Sequence, residues 1–145
     1  MAAGCSLISA STMNSTNASQ SLLKKEDRQM FVELGIVATS NFLSWEGHAL
    51  FGQLLLADPA EAYPRLGLAY CKMMGGQFEE AHKLLKSSIV ENSSFKDYAL
   101  ALRGLAFHLA KQPEELVKFF KSSESSLQEN LPALGMFKTL LESLP

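Results

Sequence analysis

The feature that most constrains this chain is a repeated segment, which can be recognised by three glycines that follow a larger residue. The pairs are Leu34-Gly35, Leu66-Gly67 and Arg103-Gly104. A large apolar residue follows each pair at a similar distance, and these residues, Phe51, Leu85 and Phe120, lie 34 and 35 residues apart. A repeat of about 34 residues is typical of a helix–turn–helix unit. The sequence therefore predicts an all-α fold, an α-solenoid of about three helical hairpins.

The small residues explain how such hairpins would pack. A glycine on the first helix, facing Gly47 or Ala81 on the second, lets two helix backbones approach closely, and a large apolar side chain then fills the groove beside them. The third segment departs from this pattern, because Leu116 stands at its small position. One hairpin cannot bury its own apolar face, so stacking on its neighbours has to complete the core.

The chain divides into two predicted parts. Residues 1–26 are rich in Ser, Thr and Asn, and this composition predicts a flexible leader. Residues 27–145 are predicted to form the repeat domain. Its helices are predicted at about 26–40, 45–57, 60–74, 78–91, 95–110 and 113–122, with a loop over 122–126. A final helix opens near Asn130 and Pro132 and is predicted to cap the stack through one apolar stripe: Leu134, Phe137, Leu140, Leu141 and Leu144.

Composition argues against several classes of function. The net charge is −2 and the pI is near 5.9, so the composition gives no sign of the basic surface that nucleic-acid binding requires. No apolar run reaches the roughly 20 residues needed to span a bilayer, so no membrane insertion is expected. The N-terminal stretch lacks the features of a secretory signal. We therefore expect a cytoplasmic protein in which Cys5 and Cys71 stay free thiols.

Catalytic and metal-binding patterns are also missing from the sequence. The three histidines, His48, His82 and His108, are far apart and have no acidic residue or cysteine at the spacing of metal ligands. Paired acids such as Glu79-Glu80 stand in predicted first turns, where they complement the helix dipole. The sequence therefore predicts a protein that is not an enzyme and needs no cofactor.

The inner wall of the predicted solenoid is the candidate binding surface. In a repeat of this kind, the residue after the glycine and those three and four positions further on are expected to face the concave groove. Such a wall is led by apolar side chains, which suits the apolar stripe of an amphipathic helix better than a peptide carboxylate. The predicted partner-binding residues are Ile36, Thr39, Leu68, Cys71, Lys72, Leu105, His108 and Leu109.

Two stretches carry a resemblance to a known repeat. Leu66-Gly67-Leu68-Ala69-Tyr70, followed by Gly76-Gln77-Phe78-Glu79-Glu80-Ala81, is similar to the tetratricopeptide repeat. Together with Leu34-Gly35 and the small size, residues 27–145 resemble the tetratricopeptide-like cytoplasmic chaperones of bacterial type III secretion, and among these the class that holds the needle subunit.

The resemblance implies a function and partners. The groove would hold the C-terminal amphipathic helix of a small secreted needle protein through Ile36, Leu68, Leu105 and Leu109, and would prevent premature polymerisation. A second small co-chaperone would be a further partner. Three alternatives stay open at this point: a chaperone of type III translocator proteins that binds extended segments, a general scaffold module, and a regulator that contacts nucleic acid. The absence of a basic recognition helix counts against the last of these.

Overall fold

The protein is an α-solenoid of helical hairpins. The computed structural model describes residues 23–127 and 129–145, and within these residues it contains eight α-helices and no strand. The predicted fold class is therefore confirmed. The helices are α1 Lys25–Ser40, α2 Ser44–Ala57, α3 Tyr63–Met74, α4 Phe78–Leu85, α5 Ser88–Glu91, α6 Lys96–Leu109, α7 Pro113–Leu127 and α8 Leu131–Glu142.

Local sequence signals explain most of the helix ends. Acidic residues stand in the first turns of α1, α4 and α7, where they complement the helix dipole. The Asn130 side chain caps α8 by accepting a hydrogen bond of 3.1 Å from the backbone N–H of Ala133. Asp58 and Pro59 follow α2, and proline cannot continue a helix ladder.

The three hairpin turns share one backbone device. Phe42, Gly76 and Lys111 each lie two residues beyond a first helix and have positive φ angles of 63°, 76° and 57°. In each turn the next N–H reaches back five residues to a helix carbonyl, at 2.9, 2.8 and 3.0 Å, as in a Schellman cap. Only the middle turn uses glycine, which adopts positive φ without cost. The three turn residues are thus 34 and 35 residues apart, which is the spacing of Phe51, Leu85 and Phe120.

Three predicted boundaries were wrong. Helix α3 begins at Tyr63 rather than near residue 60, and the predicted helix over 78–91 is divided into α4 and α5. The predicted loop over 122–126 is helical, because α7 continues to Leu127. Ser123 and Leu127 lie one turn apart and are both buried, so packing overrides the weak helix propensity of the serine-rich stretch.

The predicted leader falls largely outside the described residues. Residues 1–22 are not described, and their flexibility remains a prediction. Helix α1 begins at Lys25, two residues before the predicted start of the repeat domain. Leu23 already packs against the core cluster around Phe51.

The helices stack in the order of a solenoid. Helices α1 to α4 each pack on the next in sequence, and the first helices also pack on each other, α1 on α3 and α3 on α6. Helix α8 packs on α6 in the same way, so it occupies the position of a first helix in a fourth unit. Helix α8 is therefore the C-terminal cap that the sequence predicts, and it buries its own Phe137 and Leu140.

Two aromatic rings occupy the close contacts that the glycines create. The Phe51 ring lies between Gly35 of α1 and Gly67 of α3, and a Cβ at either glycine would overlap it. Gly104 of α6 is covered by Phe137 of α8. The repeat spacing predicts that Phe120 takes the place of Phe51 in the third hairpin. However, Phe120 is only partly buried and lies beside Phe137, with ring centroids 5.6 Å apart.

Candidate partner-binding surface

An apolar pocket opens between the first helices of the three hairpins. Its volume is about 330 Å³, and it lies between α1, α3 and α6. Because it lies where three helices meet, only the stacked repeats can form it. The lining residues are Val32, Ile36, Phe51, Tyr63, Leu66, Gly67, Tyr70, Phe95 and Leu102.

The Tyr63 side chain is held in place at the start of α3. Its hydroxyl donates a short hydrogen bond to the carboxylate of Asp58, which is buried at the end of α2. Burial, together with this hydrogen bond, raises the pKa of the Tyr63 phenol well above its usual value. The Tyr63 ring lines the pocket, and its hydrogen bond to Asp58 ties this part of the wall to the end of α2.

Tyr70 ties the pocket to α1 on another side. Its hydroxyl lies 3.0 Å from the Ser40 hydroxyl, so a hydrogen bond joins α3 to the end of α1. The ring itself lines the pocket together with Ile36, whose side chain remains 44% exposed. The site thus presents apolar side chains from each helix, with hydroxyls tied to the chain's own groups.

Of the eight predicted binding residues, only Ile36 lines this pocket. Thr39, Leu68 and Cys71 are buried by neighbouring helices and offer little surface. The Thr39 hydroxyl donates to the carbonyl of Gly35 at 2.8 Å and lies 3.2 Å from the Cys71 sulfur. Burial raises the pKa of the Cys71 thiol, which is free and closes the contact between α1 and α3. These three side chains stabilise the wall from behind.

The predicted basic residue is also engaged within the chain. Lys72 of α3 forms a salt bridge of 2.9 Å with Glu80 of α4, and its hydrogen bond lowers the pKa of that carboxyl. A partner carboxylate that pairs with Lys72 would therefore have to replace Glu80. This arrangement fits an apolar binding surface better than a carboxylate clamp.

The remaining predicted residues lie further along α6. Leu105 is partly buried and packs against two core clusters. His108 and Leu109 line a separate pocket of about 480 Å³, where the turn into α7 meets the residues after α8. The structure therefore does not bring the eight residues into one groove, and their role in binding a partner remains a prediction.

The predicted binding residues include only one residue of this pocket, because the prediction used positions after each glycine at fixed spacings. The open wall uses positions before the glycine as well as after it: Val32 three residues before Gly35, and Leu66 and Tyr70 on either side of Gly67. Helical spacing carried a signal, since Val32 and Ile36 lie one turn apart, as do Leu66 and Tyr70. However, apolar residues flank these glycines on both sides, and packing decides which flank stays open.

The described residues contain neither a metal-binding group nor a membrane-spanning segment. In residues 23–127 and 129–145, no three His, Cys, Asp or Glu side chains are grouped so that they could hold a metal ion. No helix in this part of the chain is long and apolar enough to cross a bilayer. The chemistry that the pocket offers is apolar contact.

Comparison with known proteins supports the repeat. A family model described as Tetratricopeptide repeat matches residues 46–105, from the first turn of α2 to Leu105 of α6. The chain thus contains a tetratricopeptide-type repeat, of a kind that typically mediates protein–protein interaction, and no enzyme family is indicated. Searches of the curated proteins and of the solved structures gave no match.

Proposed function

We propose that this chain is a non-enzymatic binding protein that holds an amphipathic helix of a small partner protein in the pocket between α1, α3 and α6. The observation that carries the proposal is the apolar lining of this pocket, to which all three hairpins contribute. A helix that lays apolar side chains at i, i+3 and i+4 into such a wall gains roughly 1.5–3 kcal/mol for each leucine-sized side chain it buries.

The finer proposal follows from the resemblance to type III secretion chaperones. In it, the partner is a needle-type protein whose C-terminal helix would otherwise polymerise, and a second small co-chaperone joins the complex. The tetratricopeptide match over residues 46–105 supports a protein-binding role and is equally compatible with a general scaffold. A translocator chaperone would use the same wall for an extended segment.

The test uses two neighbouring residues on α1. Ile36 lines the pocket, whereas Val37, 58% exposed, lies outside it. We expect Ile36→Asp to weaken partner capture at least about tenfold, because a carboxylate would be buried without a counter-charge. Val37→Asp introduces the same charge one residue away and should leave capture unchanged. Circular dichroism should show equal helicity in both variants.

The capture experiment uses the tagged full chain and its source lysate, followed by mass spectrometry. A small secreted protein with an amphipathic C-terminal helix, lost with Ile36→Asp, would support the needle-chaperone proposal. An equally Ile36-dependent partner of another kind would leave the binding function standing and remove the finer assignment. Loss with Val37→Asp instead would move the binding surface to the outer side of α1.

A synthetic peptide of the captured protein's helix can then separate the two secretion proposals. A needle-type partner should bind as a helix, so circular dichroism should report a gain of helicity on mixing. A translocator segment should bind without that gain. Because Lys72 is already paired with Glu80, the affinity should change little between low and high salt.

A further inference from the structure

The outward side of α2 carries a second apolar surface that the proposed pocket does not use. Trp45, Ala49, Gly52 and Leu56 follow one another at i, i+4, i+7 and i+11, which places them on one face of the helix. Trp45 is 78% exposed and Leu56 is 74% exposed. The opposite face of α2 carries the buried Gly47, Phe51 and Leu54. We call the exposed set the α2 stripe.

The order of residues in the α2 stripe is symmetric. The large side chains of Trp45 and Leu56 stand at its ends, and the small Ala49 and Gly52 stand between them. A two-fold contact between copies requires a self-complementary surface, in which residue i meets j and j meets i. If two α2 helices pack antiparallel about the midpoint of the stripe, Ala49 meets Gly52 of the second copy and Trp45 meets Leu56.

The small residues at the centre would allow this close approach. A Cβ built at Gly52 finds no atom within 4 Å, so nothing in the described part of the chain fills the space above it. Two helices with small residues at their crossing point can approach closely, and the large residues then pack at both ends. This geometry uses the Trp45 ring, which is otherwise left in solvent.

Polar residues beside the α2 stripe fit the same antiparallel arrangement. Glu46 and Gln53 lie on one flank of the helix, seven residues apart. In the antiparallel pair, Glu46 of one copy lies near Gln53 of the other, so a carboxylate meets an amide donor and two like charges do not face each other. The charge pattern therefore favours two copies of this chain over a strongly acidic or basic partner.

The available area is adequate for a reversible dimer. Trp45, Leu56 and the 91% exposed Phe42 in the turn before α2 together offer on the order of 500 Å² of apolar surface per copy. The flanking polar residues add to this, and a standard interface buries about 800 Å² per partner. We propose that the chain forms a two-fold homodimer through antiparallel contact of its α2 stripes, with the pocket between α1, α3 and α6 left free.

Sedimentation equilibrium of the full chain tests this proposal over roughly 1 to 200 µM. The wild-type chain of 15.9 kDa should associate to twice that mass with rising concentration. Gly52→Glu should weaken dimerisation at least about tenfold, because it places two carboxylates at the centre of the contact. The fold should tolerate this change, since the site is open and glutamate favours a helix more than glycine does.

Gly135→Glu provides the matched control. Gly135 lies on α8 and is also without atoms within 4 Å of a built Cβ, so the substitution adds the same charge at the other end of the chain. The control should leave the dimer unchanged, and Trp45→Ser should weaken it as Gly52→Glu does. A wild-type chain that stays monomeric throughout would overturn the proposal, and its α2 stripe would then be covered by residues 1–22 or by a different protein. A dimer that survives Gly52→Glu, or that is lost equally with Gly135→Glu, would overturn it as well.

Discussion

The two ends of the solenoid differ in how far their apolar side chains are buried. At the C-terminal end, α8 lies on α6 and buries Phe137 against Gly104. At the N-terminal end, α1 and α2 are the outermost described helices, and Trp45, Leu56 and Val37 remain largely exposed. Both ends are apolar in composition, so the difference in exposure follows from where a further helix covers the end among residues 23–127 and 129–145. An apolar surface at the end of a repeat stack is therefore informative about partners only after the cap has been located.

The two glycine–aromatic contacts also differ in origin. Phe51 belongs to the second helix of its own hairpin and serves Gly35 and Gly67 at once. Gly104 is covered instead by the Phe137 ring of the cap helix α8. Helix α7 contributes Leu116 and the partly buried Phe120 to the same core cluster. The same close contact is thus formed by different parts of the sequence. The following predictions test this comparison, in order of decreasing effect.

The largest effect is expected for Phe137→Ala. Removing a fully buried phenylalanine costs about 3–5 kcal/mol in unfolding free energy, through lost burial and the cavity left behind. Phe120→Ala should cost clearly less, because Phe120 keeps part of its surface in solvent. Urea unfolding of both variants measures the difference. A larger cost for Phe120→Ala would show that Phe120, as the repeat spacing predicts, is the main packing residue of the third hairpin.

Gly67→Leu should produce the next largest loss. Its side chain would enter the space of the Phe51 ring, and overpacking of this kind costs about 1–3 kcal/mol or more. Gly135→Leu is the control on α8, where an added Cβ meets nothing, and it should not lower the thermal midpoint. If both variants melt alike, the proximity of Phe51 to Gly67 has no energetic importance.

Replacing the strained turn residues should stabilise both ends by similar amounts. Phe42→Gly and Lys111→Gly place glycine at a positive φ, and each should gain about 1 kcal/mol, in part offset by the greater freedom of glycine in the unfolded chain. Thermal melting of the two variants, compared with Gly76→Ala as a destabilising control, gives the measurement. A loss of stability with Phe42→Gly alone would show that the exposed ring contributes to the N-terminal end.

The smallest effect concerns the contact between α4 and α6, in the middle of the solenoid. His82 of α4 is buried against Phe107 of α6, with ring centroids 4.5 Å apart. Burial lowers the pKa of His82, and Arg103 and Lys86 act in the same direction, while Glu79 opposes them. Because the unfolded chain then binds the proton more readily, stability should be complete above about pH 6.5 and should fall as the pH drops through the lower pKa of the folded state.

His82→Gln should reduce this dependence on pH, as followed by urea unfolding between neutral and mildly acidic conditions. His48→Gln is the control, because His48 is exposed on α2. A pH dependence that is lost with His48→Gln instead of His82→Gln would show that the contact between His82 and Phe107 does not cause it.

The repeat spacing was sufficient to predict the fold, because a glycine pair followed by a large apolar residue recurs three times, with the apolar residues 34 and 35 residues apart, and this pattern is typical of helical hairpins of one size. It also predicted the cap, since the stripe that includes Phe137 and Leu140 has to be buried against another helix. It did not predict the end of α7, because a serine-rich stretch has a weak helix propensity and only its contact with the core keeps it helical.

The binding wall shows the same division between local pattern and packing. The sequence by itself determined the hairpins and the close contacts at Gly35 and Gly67, since backbone approach depends on the absence of a side chain at those residues. Only the tertiary structure decided that Ile36 and Tyr70 face the open pocket while Thr39 and Cys71 are buried. Those residues lie on adjacent flanks of the same helices, and the angle at which the neighbouring hairpin packs determines which flank water can reach.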